Sequence, residues 1–221
     1  MFLTRVERGG LAGDVYQRIR DAIFSGELTA GARLDVRELS EALGVSSQPV
    51  KEALSRLSLE GLVVIRPRVG TFVRTLVDAD IDHILDARLM IETFAVTHMP
   101  SEINAARLDQ LEQAAARLEQ LAAAEPFSYM AYNETDIRFH ETLVELAANP
   151  ELLRLYRSLH AHYVTARGYY GRAHEKAIAS EKDHRVIFEA LRAHRADDAA
   201  RAVEEHIMAA KNGLRHLLKL S

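Results

Sequence analysis

The chain has 221 residues, 48% hydrophobic and 27% charged, with 28 Lys/Arg against 32 Asp/Glu and no cysteine. That composition suits a folded globular protein of one large or two modest domains, and it excludes a disulfide framework and a thiolate metal site. The net charge of −4 argues against a wholly basic nucleic-acid binder, and no apolar run approaches the roughly 18 residues needed to cross a bilayer.

The charge is uneven along the chain. Residues 1–77 hold 11 Lys/Arg and 9 Asp/Glu, and residues 78–221 hold 17 and 23. All 10 histidines lie beyond residue 82. A mildly basic, histidine-free segment before an acidic, histidine-rich one predicts two domains, 1–77 and 78–221, joined near Arg74–Ala79. Met1–Gly10 carries Arg5, Glu7 and Arg8 with no apolar core after them, so it does not read as a secretory leader, and a cytoplasmic location is expected.

The first periodic segment is Leu11, Val15, Ile19, Ala22 and Ile23, one apolar helix face, with Asp14 as an N-cap or first-turn acid and Gly26 as its stop. Residues 27–34 are too short and too interrupted by glycine for another helix. Asp35 then caps a short helix, Val36–Leu43, with Leu39, Ala42 and Leu43 inward. Gly44 stands where the chain must take positive φ. Ser46 caps a second helix, about Ser47–Glu60, whose inner residues are Val50, Ala53, Leu54 and Leu57. Pro49 falls in its first turn, where a missing N–H costs little. Residues 62–73 are β-branched on both sides of a Pro67–Gly70 turn and read as a two-stranded hairpin.

From Asp80 onward the pattern is helical, in six segments: 80–98, 104–123, 127–147, 150–171, 176–194 and 197–218. The fold class expected is mainly α: an N-terminal winged helix-turn-helix, then an all-α antiparallel bundle of six or seven helices.

The helices 36–43 and 47–60, joined by Gly44-Val45-Ser46, form a helix-turn-helix with a following hairpin as its wing. The second helix opens Ser46-Ser47-Gln48-Pro49-Val50-Lys51, the polar N-terminal end that a recognition helix offers to base edges. A plain helical hairpin with capping serines is the bland alternative. The order of leading helix, helix-turn-helix and hairpin favours DNA binding.

In the second segment, Asp136 and His140 are four apart on one helix face. His184 and His206 each lie 11 residues from a turn centred near Arg195, which places them level in an antiparallel pair. Three imidazoles and a carboxylate suit Zn²⁺, Ni²⁺, Mn²⁺ or Fe²⁺ with positions left open. Ten histidines on helices also produce such pairs by chance, and His160 lies near the same level. Asn133, one turn before Asp136, is a further candidate for the same cavity.

The runs Val15–Ile23, Gly26-Glu27-Leu28, Gly31–Leu34, Glu38–Ser46, Pro49–Leu57, Glu60–Val63 and Gly70–Val73 resemble the GntR family of bacterial regulators. The resemblance implies DNA contacts at Arg37, Ser46, Ser47, Gln48 and Lys51 and in the wing around Arg68 and Gly70. The family usually has arginine where Ser47 and Lys51 stand here, so the operator does not transfer from relatives. Residues 80–218 resemble the FCD effector domain of the FadR-type branch, through Arg88–Glu92, Asp136–His140, Asn149-Pro150, Asp183–Leu191 and Glu205-His206. Six helices rather than seven point to the shorter, VanR-like subgroup. The resemblance implies a divalent metal held by Asp136, His140, His184 and His206, with Arg88 facing the pocket as an effector-binding residue. A homodimer on a palindromic operator, responding to a small organic acid, is the expected function. A metal-dependent hydrolase using an open His₃Asp site is the alternative, and a purely structural metal is the third reading.

Overall fold

The computed structural model describes residues 10–75, 78–100, 104–159 and 173–218. The chain divides into two compact units, Met1–Leu76 and Val77–Ser221.

In the first unit, α1 (Gly10–Phe24) buries Val15, Ile19 and Ile23 of the expected face together with Tyr16 and Phe24, while Ala22 is half-buried and Leu11 is exposed at the helix start. Asp14 is neither its cap nor in its first turn, because the helix already begins at Gly10. After α1, residues expected to be irregular contain a short strand, β1 (Arg33–Leu34). Leu34 is driven into the core while Arg33 faces out, and the strand pairs with the hairpin.

Helix α2 (Val36–Leu43) starts on Asp35, whose Oδ1 accepts from the N–H groups of Arg37 at 2.8 Å and Glu38 at 3.3 Å. This satisfies two of the donors that a helix start leaves open. Gly44 takes φ 65° and lets the Val45 N–H turn back to the Ser40 carbonyl at 3.0 Å. Of the residues expected inward on α2, Leu39 and Leu43 are half-buried but Ala42 is exposed. Helix α3 (Ser47–Leu59) buries Val50, Ala53, Leu54 and Leu57 against α1. Tyr16 of α1 donates to Glu60 at 2.7 Å, and the Arg56 guanidinium lies 3.7 Å from the Tyr16 ring centre, so both ends of the contact are fixed.

Strands β2 (Val63–Arg66) and β3 (Gly70–Val73) form the hairpin. With β1 they make a three-stranded antiparallel sheet in the order β1-β3-β2, where a two-stranded hairpin was expected. Pairs Arg33↔Phe72, Val64↔Phe72 and Arg66↔Gly70 put Arg33, Arg66, Gly70 and Phe72 on one face. Leu34, Val63 and Val73 on the other face close the core.

The second unit is helical among the described residues: α4 (Asp78–Thr97), α5 (Ala105–Ala122), α6 (Tyr129–Glu145), α7 (Pro150–Ser158), α8 (Ala173–Arg192) and α9 (Ala196–Leu218). Asn104, Ser128 and Asn149 cap α5, α6 and α7 through their side chains, and Pro150 opens α7. Helix α7 ends at Ser158, where a single helix to residue 171 was expected. There the Leu159 N–H bonds the Tyr156 carbonyl three residues back and tightens the last turn. Residues 160–171, including His160, lie outside the described residues, and the choice between six and seven helices turns on them.

Helix α4 packs on α6, α7 and α9, and α8 packs on α5, α6 and α9. Alanines 114, 115 and 122 of α5 are buried, which allows the close approach of α6 and α8. Two bidentate ion pairs tie neighbouring helices: Arg185 to Glu119 (2.8 and 2.9 Å) joins α8 to α5, and Arg215 to Asp82 (2.8 and 2.6 Å) joins α9 to α4. Together these contacts hold α6, α8 and α9 in the order that brings their inward polar side chains to one place.

Candidate nucleic-acid interface and metal centre

At the start of α3, Ser46, Ser47, Gln48 and Lys51 are all exposed. Ser46 occupies the N-cap position but its hydroxyl makes no cap bond. Gln48 donates one turn forward along its own helix to Glu52 at 2.8 Å, and Arg37 on α2 pairs with Glu41 at 3.0 Å. Exposed i,i+4 pairs of this kind contribute only a few tenths of a kcal/mol, so both side chains can be recruited by a stronger acceptor.

A groove of about 650 Å³ runs between these helix ends and the sheet, and Arg37, Ser47, Lys51 and Gly70 line it together. Arg33, Ser40 and Thr71 also line it. Ser46, Gln48 and Arg68 lie outside that lining. Arg68, at the wing turn, is exposed with φ 64°, and Gly70 takes φ 142°, a conformation that side-chain-bearing residues rarely adopt.

In the second unit, Asp136 and His140 of α6, His184 of α8 and His206 of α9 converge. Each offers one ligand atom, and these atoms all lie within 4.8 Å of one another. All four residues are buried. The imidazole centres are 4.6–5.3 Å apart, and Phe139 stands edge-on to both His140 and His184.

The hydrogen bonds around the cluster orient its rings. His140 Nδ1 bonds Glu92 Oε2 at 2.8 Å, and His206 Nδ1 bonds Asp183 Oδ2 at 3.2 Å. With each Nδ1 engaged as a donor to a carboxylate, the lone pair is left on Nε2, the arrangement that histidine ligands of metals commonly show. His184 Nε2 lies 3.1 Å from Asp136 Oδ1, while its Nδ1 is buried with no hydrogen-bond partner among the described residues.

Glu92 of α4 is the hub behind the cluster. Besides His140 it accepts from Arg88 Nε at 2.6 Å and from the Tyr156 hydroxyl of α7 at 2.6 Å. Burial pushes this carboxyl up, but Arg88, His140 and Tyr156 outweigh it and hold it well below the usual carboxylate range. Burial works against the charge on Arg88 as well, yet Glu92, Tyr156 and Asp136 keep it firmly protonated. Burial drives His206 down to about 4 despite its bond to Asp183, and drives His140 well below the ordinary histidine range with Arg88 adding to the effect. Both imidazoles are therefore neutral near pH 7, the form that coordinates a cation.

Arg88 is 1% exposed, and its Nη2 is buried with no hydrogen-bond partner among the described residues. Asn133 is buried one turn before Asp136. Neither spacing nor the resemblance assigns Glu92, Asp183 or Tyr156 a role at the cluster. Glu92 is four residues after Arg88 and Asp183 directly precedes His184, but their reach across to His140 and His206 needs the helix packing.

Residues 11–73 match the model of bacterial regulatory proteins of the GntR family, and residues 83–209 match the FCD domain. The chain belongs to the GntR family. As a GntR regulator with an FCD domain, it is of the FadR type. It is 28% identical over 211 residues to the HTH-type transcriptional regulator YdhC of Bacillus subtilis, covering 92% of this chain and 91% of the other. It is 28% identical over 204 residues to the HTH-type transcriptional repressor RspR of Escherichia coli, covering 92% and 88%. A GntR transcriptional regulator from Rhodococcus sp. RHA1 shares the fold at TM-score 0.75 and 24% identity, over 93% of this chain and 97% of that one. These relatives are transcription regulators rather than enzymes, so the hydrolase alternative is not favoured. Among the described residues, no helix is long and apolar enough to cross a membrane.

Proposed function

We propose that this GntR regulator is a homodimeric repressor of a palindromic operator, released or engaged by a small carboxylate bound at a divalent metal. The observation that carries the reading is the convergence of Asp136, His140, His184 and His206 beside the buried guanidinium of Arg88. Two buried carboxylates and one guanidinium leave the pocket at −1. A divalent cation brings it to +1, and imidazoles that coordinate it add no charge. An anion then restores neutrality in a site where uncompensated charge is costly.

Asp136, His140, His184 and His206 hold the metal, with Zn²⁺, Ni²⁺, Mn²⁺ and Fe²⁺ all compatible with the donor set. When bound, the metal supplies a Lewis-acidic anchor for a carboxylate oxygen. Arg88 donates from Nη2 to the same ligand and is kept in place by its Nε bond to Glu92. Asn133 contributes an amide from the preceding turn of α6. In the first unit, Ser46, Ser47, Gln48 and Lys51 read or approach bases, while Arg37, Arg68 and the Gly70 backbone hold the flanking phosphates. Two such units facing a palindrome explain why a dimer is needed.

The test is a panel of small carboxylic acids screened by thermal shift against metal-loaded protein, then by binding of a duplex selected from a random pool. The reading predicts that some acids raise the melting temperature only with metal present and change duplex affinity. Acids that leave both unchanged across the panel, with metal still stabilising the fold, favour a structural metal instead.

A further inference from the structure

We propose that Arg33, on the short strand β1, is a DNA-phosphate contact that bridges the recognition helix and the wing. This rests on the DNA-binding reading and adds a residue to it. Arg33 is exposed and lines the groove shared by Ser47 and Lys51 of α3 and by Gly70 and Thr71 of β3. Among the described residues its side chain has no hydrogen bond and no ion pair, whereas Arg37 in the same groove is engaged with Glu41. Asp35 and Glu41 also line the groove, but Asp35 is engaged with the N–H groups of α2 and Glu41 with Arg37, so Arg33 presents there a cation held in no ion pair.

The sheet explains how it is aimed. Leu34 is fixed in the core, so the alternation of the strand turns Arg33 to the opposite face. The register sets it beside Phe72. Its path then crosses the wing where residue 70 is glycine. A Cβ at that position would lie 3.5 Å from the Phe72 ring, an ordinary contact, and 3.2 Å from Arg33 Nε, so the guanidinium would have to shift by a few tenths of an ångström. Gly70 thus has two uses: it meets the φ of 142°, and it leaves room for Arg33 to lie over the wing toward the groove. On the far side of Phe72, Arg66 instead stacks on the ring at 5.3 Å and does not line the groove.

A cation between the base-reading helix and the wing meets the sugar-phosphate backbone as it passes from one to the other. It would add affinity without sequence preference, since phosphates carry no base identity. The competing explanation is that Arg33 only guards a short edge strand from pairing with another chain.

The experiment is duplex binding by fluorescence anisotropy across about 50–200 mM salt, using a duplex selected by the wild-type protein and a scrambled duplex of equal length. Arg33→Gln is compared with Arg33→Lys, and circular dichroism checks the fold of each. The expected result is that Arg33→Gln weakens binding to both duplexes by a similar factor. The slope of log affinity against log salt should fall by about one per bound subunit, while Arg33→Lys keeps the wild-type slope. Unchanged affinity and slope in Arg33→Gln overturn the inference and leave the edge-guard role. A loss confined to the selected duplex overturns it in favour of base reading. If wild-type protein binds neither duplex at any salt, the DNA-binding reading itself fails, a result distinct from a silent Arg33→Gln.

Discussion

Glu92 Oε2 lies 2.8 Å from His140 Nδ1, and the same carboxylate accepts from Arg88 and Tyr156. One buried side chain therefore orients a metal-ligand candidate, the effector-binding candidate and a residue of α7. Changes at the centre are felt on three helices through this group.

The first consequence concerns metal affinity. Glu92→Gln keeps the size of the side chain but weakens its acceptor strength toward His140. Metal affinity, read by competition with a chromophoric chelator, should fall by roughly 10–100-fold, the usual effect of losing such a partner. Asp183→Asn should act in the same direction through His206. Unchanged affinity in both variants would remove the orienting role assigned to the two carboxylates.

Arg88 is a buried cation whose removal strands Glu92. Arg88→Met should destabilise the metal-free protein by about 3–5 kcal/mol, the typical cost of breaking one side of a buried pair. The double variant Arg88→Met with Glu92→Leu should recover part of that loss in urea melts. A double variant no more stable than Arg88→Met would show that the pair is not the source.

The pH dependence of the chelator-treated protein follows from His206. Its folded value of about 4 lies below its ordinary value of 6.5, so the unfolded chain binds the proton more readily. The stability it contributes is full above about pH 6.5 and is lost as the pH falls toward 4. His140 adds to the loss in the same direction. Urea midpoints measured at about pH 7, 6 and 5 should decline, and the decline should be shallower in His206→Gln. Equal slopes in the two proteins would contradict this origin.

Asp35 supplies the start of α2. Asp35→Ala should cost roughly 1 kcal/mol of stability, as loss of a side-chain N-cap usually does. Because α2 carries Arg37 and supports α3, duplex binding should weaken alongside. A melt indistinguishable from wild type would show that water replaces the cap at no cost.

Most helices of both units are legible in the sequence because apolar spacing and a cap such as Asp35 are local signals, whereas the end of α7 at Ser158 is not. Strand β1 is not: two residues carry no periodicity, and Arg33–Leu34 becomes a strand only because β3 is there to pair with it. The meeting of His184 with His206 follows from their equal distance to the α8–α9 turn. The hub at Glu92 does not, since its bonds to His140 and Tyr156 span 48 and 64 residues and depend on how α4, α6 and α7 pack. Ala42 shows the converse error, in which residue type suggests burial that the shortness of α2 does not provide.

The most direct test of the account is the metal content of wild-type protein and of His184→Ala after equilibration with Zn²⁺ or Ni²⁺ and removal of excess. The account predicts a single tightly held ion per wild-type chain and almost none in His184→Ala, with the variant still folded. Wild-type protein that retains no ion, or a variant that retains as much, would contradict it.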